Sequence, residues 1–428
     1  MSTATCVTIV AIALYYIHRW LTKPSLRDLR GPEPESFIMG SLREIFKRQA
    51  GEADFEWQRA YGKAFRVKAS LGKRIELLAG EEHKRQRKVM LPAFGGPEIR
   101  ALFPSFIQHA EQVSLKWKDM LQTAPDQSAV INVCPWLSFA TMDAIGEAAF
   151  DYKFNATEDP NSPMVRAYND FVRLVFGQSS DGKILALDLA RYIPLWIIEW
   201  LQDTLAGEGL KKARETEELT TSIAKQLISS KTESIGDGER KRDVFSLLVK
   251  ANSSEDEKSR FSENEMIAAM RTILFAGHET TSNSVGWALL ELARNPDVQN
   301  RLRSEIHEME RTVRARGSTT GPSLSDVDQM PYTQAVIKET LRLHPVVTHS
   351  IRRAQKDDVI PLSRPVTTRS GKVLDNVEVP KGTRVMISIA GYNRDSELWG
   401  EDAHVFRPER WLDGTVKKSV NIGVYNNL

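Results

Sequence analysis

From Ser262 to Arg294 the chain runs without a proline through a stretch rich in methionine, isoleucine, leucine and alanine. At about 1.5 Å per residue such a run, if helical, crosses a whole domain. Ser262 and Glu265 at its start make a capping box, each side chain meeting a free amide of the first turn. Asn295-Pro296 closes the run and opens a second helix, and Pro331 opens a third that His344-Pro345 ends. Beyond these the pattern changes: Val379-Pro-Lys-Gly382 reads as a turn and Arg384 to Ala390 as a strand. Residues 38–225 read as mostly helix, broken at Pro92, Pro97, Pro104, Pro125, Pro135, Pro160, Pro163 and Pro194, with Phe65-Arg-Val67 as a strand candidate. The expected fold class is mainly α with small β-sheets. No strand and helix alternation points to a doubly wound sheet.

Length and composition agree with a globular core, at 428 residues, 41% apolar and 27% charged. Fifty-eight basic against fifty-six acidic residues give no whole-chain field that favours nucleic acid. Cys6 and Cys134, the two cysteines, make neither a disulfide framework nor a cysteine-rich metal site, which points to a reducing compartment. Cys6 to Ile17 is nearly all apolar, and His18, Arg19, Lys23, Arg27 and Arg30 follow it. With Tyr15, Tyr16 and Trp20 at its edge, this reads as a signal-anchor over 1–22 whose basic flank stays cytosolic. A cleaved signal peptide and a buried N-terminus are the alternatives, the first lacking a small-residue cleavage site. Two prolines and a glycine between Leu29 and Phe37 suggest a semi-stiff linker over 23–40, with a single domain over 41–428. Residues 229–260 are polar and charged around one short apolar helix, and read as a solvated connection.

Within the long helix lies Ala276-Gly-His-Glu-Thr-Thr281. A glycine there costs about 1 kcal/mol against alanine, and Glu279, Thr280 and Thr281 are polar in an apolar run. One reading is a helix wall that admits a small ligand at Ala276 and Gly277, beside an acid and an alcohol able to pass protons. The other is a kinked core helix with satisfied hydroxyls. A second constellation is Glu339-Thr-Leu-Arg342-Leu-His-Pro345, whose i, i+3 spacing sets carboxylate and guanidinium on one face. Glu-x-x-Arg occurs seven times, also from Glu56, Glu82, Glu239, Glu257, Glu291 and Glu308, and those six read as solvated faces. Leu341, Leu343 and Pro345 around the seventh imply burial and further partners, for which Arg410 in Phe406-Arg-Pro-Glu-Arg-Trp411 is the candidate.

In this order the segments resemble the cytochrome P-450 family. Its oxygen-activation motif is matched by Ala276 to Thr281, its buried Glu-x-x-Arg pair by Glu339 and Arg342, and its Pro-x-Arg-Trp arginine by Arg410. Gly31-Pro32 and the run Tyr392-Asn-Arg-Asp to Trp399-Gly400 fit as well, so that the resemblance spans about 1–67 and 81–428. It implies a haem-thiolate monooxygenase that inserts one oxygen atom of O2 into a lipophilic small molecule, using electrons from an NADPH-dependent reductase. It implies Glu279 and Thr280 as the proton relay, Ala276 and Gly277 as the oxygen groove, and Glu339, Arg342 and Arg410 as a structural ion triad. His83 and Arg87 look like contacts of the haem propionates, the alternative being a basic surface helix. Arg352 looks like another, with adjacent Arg353 an equal contender. An endoplasmic reticulum membrane with the catalytic domain in the cytosol follows from the same resemblance.

The family's iron ligand sits in a Phe-x-x-Gly-x-x-x-Cys-x-Gly loop after the Pro-x-Arg-Trp segment, and thiolate donation favours O–O cleavage. Here Asn421 to Leu428 stops short of such a loop, so the expected cysteine lies beyond Leu428 and the fold reads as C-terminally incomplete. Cys134, in Val133-Cys-Pro-Trp136, reads as a small buried side chain instead. Lys68 to Gly80 is also short where the family roofs its pocket. The competing expectation is a membrane-tethered remnant without catalysis.

Overall fold

In the computed structural model, residues 26–34, 36, 39–68, 87, 88, 90, 95–168, 180–190, 193, 194, 197, 200, 208–236, 244–252, 260–318, 321–414 and 416 are described. In chain order the helices are α1 (Leu42–Lys47), α2 (Glu52–Tyr61), α3 (Gly96–Thr123), α4 (Val133–Phe150), α5 (Asp181–Ala190), α6 (Glu208–Gly236) and α7 (Val244–Asn252). Then come α8 (Glu263–Arg294), α9 (Pro296–Ala315), α10 (Leu324–Asp328), α11 (Pro331–Leu343), α12 (Ile389–Asn393) and α13 (Ser396–Trp399). Among the described residues four strands, β1 (His349–Arg353), β2 (Asp358–Thr367), β3 (Val373–Val379) and β4 (Arg384–Ser388), make two antiparallel pairs, β1 with β4 and β2 with β3. The fold is mainly α with small sheets.

The described residues fall into two compact units, one drawn from 1–78, 178–198 and 347–392, the other from 79–177, 199–346 and 393–428. In the first, Val366, Val377 and Val379 of the β2–β3 hairpin bury together with Leu29. The hairpin therefore holds residues 26–34 of the proline-rich stretch through Leu29. The Arg66 amide donates to the Arg30 carbonyl at 2.9 Å. A side chain at Gly31 would put its Cβ 1.9 Å from the Arg66 carbonyl oxygen, so only glycine allows this approach. Asp28 accepts from the Ser370 amide at 3.0 Å, and Glu33 is gripped by Lys68 and Arg369. Those two cations hold the Glu33 carboxyl well below its usual range, at about 2. Phe65-Arg-Val67, expected as a strand, is extended chain outside any sheet, its one ladder-like bond going to Arg30.

The second unit has the larger core. Phe139, Met142, Ala149 and Phe150 of α4 pack with Met266, Met270, Ile273 and Leu274 of α8. Val244, Phe245, Leu248 and Val249 of α7 join them, and Phe245 is 0% exposed. The apolar helix inside the expected solvated connection is thus core, because the charges flank it and none interrupts its buried face. Asp143 of α4 accepts from the Ala156 and Thr157 amides at 2.7 and 2.9 Å, fixing the chain that leaves the helix. Pro104 does not break α3, which continues on both sides of it. One missing amide bond costs about 3 kcal/mol or more, and the long helix around it absorbs that loss. Pro97 and Pro135 lie in the first turns of α3 and α4, where no amide bond is forfeited.

Candidate functional site

The capping box at the head of α8 is formed, with Ser262 Oγ accepting from the Glu265 amide at 3.3 Å and Glu265 Oε2 from the Ser262 amide at 2.8 Å. From there α8 is continuous past Ala276–Thr281. Gly277 opens no gap. A Cβ built on it would lie 2.6 Å from Cδ1 and Cγ1 of Ile145, so the space that glycine leaves is filled by α4. Local unwinding, one reason for a glycine in the motif, is absent, and close helix packing is the observed one.

That close approach brings Ser138, seven residues before Ile145 and on the same face of α4, to the next turn of α8. Ser138 Oγ donates to Glu279 Oε1 at 3.1 Å. His278 Nε2 also lies 3.1 Å from Glu279 Oε1, and the Asn283 amide is 3.4 Å from Oε2. The His278 contact, against the opposing effect of burial and with help from Ser138 and Asn283, lowers the Glu279 pKa, so the side chain is a carboxylate. Thr280 is exposed and its hydroxyl donates to the Ala276 carbonyl at 2.6 Å. Thr281 likewise bonds back to Gly277 at 3.0 Å. Ala276 and Thr280, one turn apart, form an open small-residue strip on α8.

On α11, Glu339 and Arg342 lie 0% exposed and meet Arg410, which is 1% exposed. Arg410 Nε donates to Glu339 Oε1 at 2.9 Å, and its two terminal nitrogens to the carbonyls of Trp399, Asp402 and Val405. Arg342 reaches the carbonyls of Asn393 and Ala403 at 2.6 and 2.7 Å. Three charges thereby fasten residues 393–411 to α11, every buried fork being satisfied. Of the six other Glu-x-x-Arg pairs, those from Glu82, Glu239 and Glu257 lie outside the described residues. Glu308 meets Arg311 on an exposed face at 3.1 Å, and Glu56 is taken by Arg48 at 2.6 Å. Glu291 departs from the expected solvated face: it is 5% exposed and its Oε1 lies 2.8 Å from His344 Nε2.

Arg352 and Arg353 separate clearly. On β1 the side chains alternate, so His349, Ile351 and Arg353 share one face and Ser350 and Arg352 the other. His349 Nε2 is 2.5 Å from Asp54 Oδ2 of α2, and its cross-strand partner Ser388 donates to the same oxygen at 2.9 Å. Arg353 therefore lies on the packed side, beside the Gly382 turn. Arg352 is exposed, and among the described residues its side chain bonds only the Ile351 carbonyl, at 3.2 Å. Arg87 is helical and exposed, while His83 lies outside the described residues. Arg87 and Arg352 thus carry guanidinium groups with no carboxylate among their described contacts, which fits them to an external anion such as a haem propionate.

Cys134 is exposed in the first turn of α4, contrary to the expected buried role, because it lies on the outward side of that turn while Trp136 two residues on packs against the core. Cys6 and the apolar run to Ile17 lie outside the described residues, and among the described ones no helix is long and apolar enough to cross a membrane. Sequence reasoning did not find Ser138, His278, Asp54 or the Glu291–His344 pair. His278 stands inside the motif and Glu291 inside a Glu-x-x-Arg, whereas Ser138 and Asp54 carry no local signal.

A family model described as cytochrome P-450 matches residues 33–423. The chain is 31% identical over 442 residues to cytochrome P-450 monooxygenase 205 of Postia placenta, covering 93% of this chain and 79% of that protein. It is 32% identical to monooxygenase 128 of the same fungus, over 98% of this chain and 84% of that one. To cytochrome P-450 monooxygenase claQ of Ampulloclitocybe clavipes it is 32% identical, over 90% of this chain and 77% of the other.

Proposed function

Since this chain belongs to the cytochrome P-450 family of monooxygenases, we propose that it inserts one oxygen atom of O2 into a lipophilic small molecule, with an NADPH-dependent reductase as electron donor. The observation that carries the reading is the pairing on α8 of a held carboxylate, Glu279, with an exposed hydroxyl, Thr280, beside the small residue Ala276. Haem, when bound, would supply the oxygen activation. Arg87, Arg352 and His83 are the residues that, by the resemblance, would hold its propionates. Thr280 orders the proton-bearing hydroxyl and Glu279 exchanges protons behind it. The apolar run from Cys6 to Ile17 supports a membrane anchor, and the basic residues after it support a cytosolic body at the endoplasmic reticulum.

The test is haem titration of the purified full chain, followed by a reduced carbon monoxide difference spectrum. A Soret band is expected on haem uptake, with a thiolate-type difference band where a cysteine other than Cys6 and Cys134 supplies the ligand, together with turnover lost in Thr280→Ala. A second reading, a tethered chain that binds ligand without oxidation, is favoured by the exposed setting of Cys134. Haem uptake without the thiolate band supports that second reading and overturns the first.

A further inference from the structure

His278 lies inside the motif and is 1% exposed, one of the largest fully buried side chains of the described residues. Its ring meets Tyr168 edge-on, with centroids 5.7 Å apart. Nδ1 lies 3.1 Å from the Leu274 carbonyl one turn back, and Nε2 lies 3.1 Å from Glu279 Oε1. Both ring nitrogens thus face oxygen atoms, one on the backbone of α8 and one on the Glu279 carboxylate. The imidazole can hardly rotate away, since Tyr168 walls one side and the helix backbone fixes Nδ1.

From this we propose that His278 is a positioning residue for Glu279: with Ser138 of α4 it holds the carboxylate against the core side of α8, turned off the strip that carries Ala276 and Thr280. The assignment rests on reading Glu279 and Thr280 as the proton-relay pair. The Glu279 carboxylate is taken by His278, Ser138 and Asn283, while the Thr280 hydroxyl bonds the Ala276 carbonyl, so the two groups are held by different partners. Glu279 first takes a proton from solvent water and then passes it to the exposed strip by exchanging its His278 and Ser138 contacts for Thr280 or a water there. The groups that face it are His278 and Asn283 from α8 and Ser138 from α4. The lowered Glu279 pKa agrees, its first cause being the His278 contact.

The experiment compares wild type, His278→Gln, His278→Asn, Ser138→Ala and Glu279→Gln, alone and combined, by thermal unfolding of the full chain from neutral pH to below pH 4. The pH-dependent part of the Glu279→Gln effect reports the carboxylate. It is present above the ordinary carboxylate pKa and is lost as pH falls through the lower folded value. We expect this part to shrink severalfold in either His278 variant and less in Ser138→Ala. An unchanged Glu279→Gln effect in all three backgrounds overturns the proposal. In the haem-loaded chain, His278→Gln should move the acid limb of the turnover profile to higher pH with KM unchanged. If the stability coupling is absent while Glu279→Gln still slows turnover, the positioning role fails and the relay reading stands. If the coupling is present and Glu279→Gln turns over normally, the relay reading fails and His278 is left with a structural pair.

Discussion

Glu339 and Arg342, one turn apart on α11, meet through two bonds of 2.8 Å with both side chains closed off from water. The same carboxylate accepts from Arg410 at 2.9 Å, from the Arg407 amide at 2.9 Å and from the Trp411 indole at 3.0 Å. Burial alone pushes its pKa up, but the Arg342 bonds and charge, the Arg407 amide and Arg410 outweigh it, and the net shift is downward.

Glu339→Gln keeps the shape and removes the charge, leaving two buried guanidinium groups facing a neutral amide. Breaking one partner of such a network costs about 3–5 kcal/mol. We expect that loss in urea unfolding at neutral pH, and a loss of similar sign in Arg410→Lys, because an ammonium cannot span the carbonyls that the fork reaches. With the folded pKa lowered, the contribution of Glu339 is full above its unfolded value and disappears as pH falls through the folded one. The gap between wild type and Glu339→Gln should therefore close in acid.

His344 ends α11, with its ring stacked on Trp287 at 4.2 Å and 8° and its Nε2 on buried Glu291. Burial lowers its pKa, and Arg394 and Arg294 add to that, against the opposing pull of Glu291. A histidine whose folded pKa lies below its ordinary value binds fewer protons folded than unfolded. Stability then falls as pH drops below about 6.5 and levels off beneath the folded pKa. Thermal midpoints measured from pH 7.5 to 5 should decline in wild type and flatten over that window in His344→Gln.

Gly277→Ala should destabilise the chain by about 1–3 kcal/mol, the usual range for overpacking, since its methyl meets Ile145 at 2.6 Å. Shortening the neighbour should restore it. In Gly277→Ala with Ile145→Val, thermal unfolding should recover part of the loss, a coupling that two independent substitutions would not produce.

These examples separate what the sequence carries from what only the fold assembles. The start of α8 is legible because a capping box is a bond between neighbours, and α9 and α11 because Pro296 and Pro331 open them. Glu339 with Arg342 is legible because i, i+3 spacing on a helix is itself a contact. Arg410 enters through its aromatic and proline setting. By contrast, Asp54 and His349 stand 295 residues apart in the chain, and nothing local links them. Ser138 reaches Glu279 because a glycine lets two helices close, a tertiary event. Glu291 has the same motif as exposed Glu308 and differs in what packs over it. Pro104 and α7 are misread for a related reason, since tertiary packing outweighs one lost amide bond and flanking charge.

Arg352 and Arg353 supply the sharpest test of the anion reading, because adjacent residues of one strand differ in face while sharing chemistry. Asp54 grips His349 and Ser388 from the α2 side, which commits the alternate residues of β1 inward and sends Arg352 outward. A guanidinium bonded to a propionate is worth about 1.5–3 kcal/mol, or roughly 10- to 100-fold in affinity. Arg352→Ala should weaken haem binding by that factor in an absorbance titration while leaving the thermal midpoint of the haem-free chain unchanged. Arg353→Ala should do the reverse, lowering the midpoint through lost packing beside Gly382. Equal haem affinity in wild type and Arg352→Ala would remove Arg352 from the site and leave the anion to other residues.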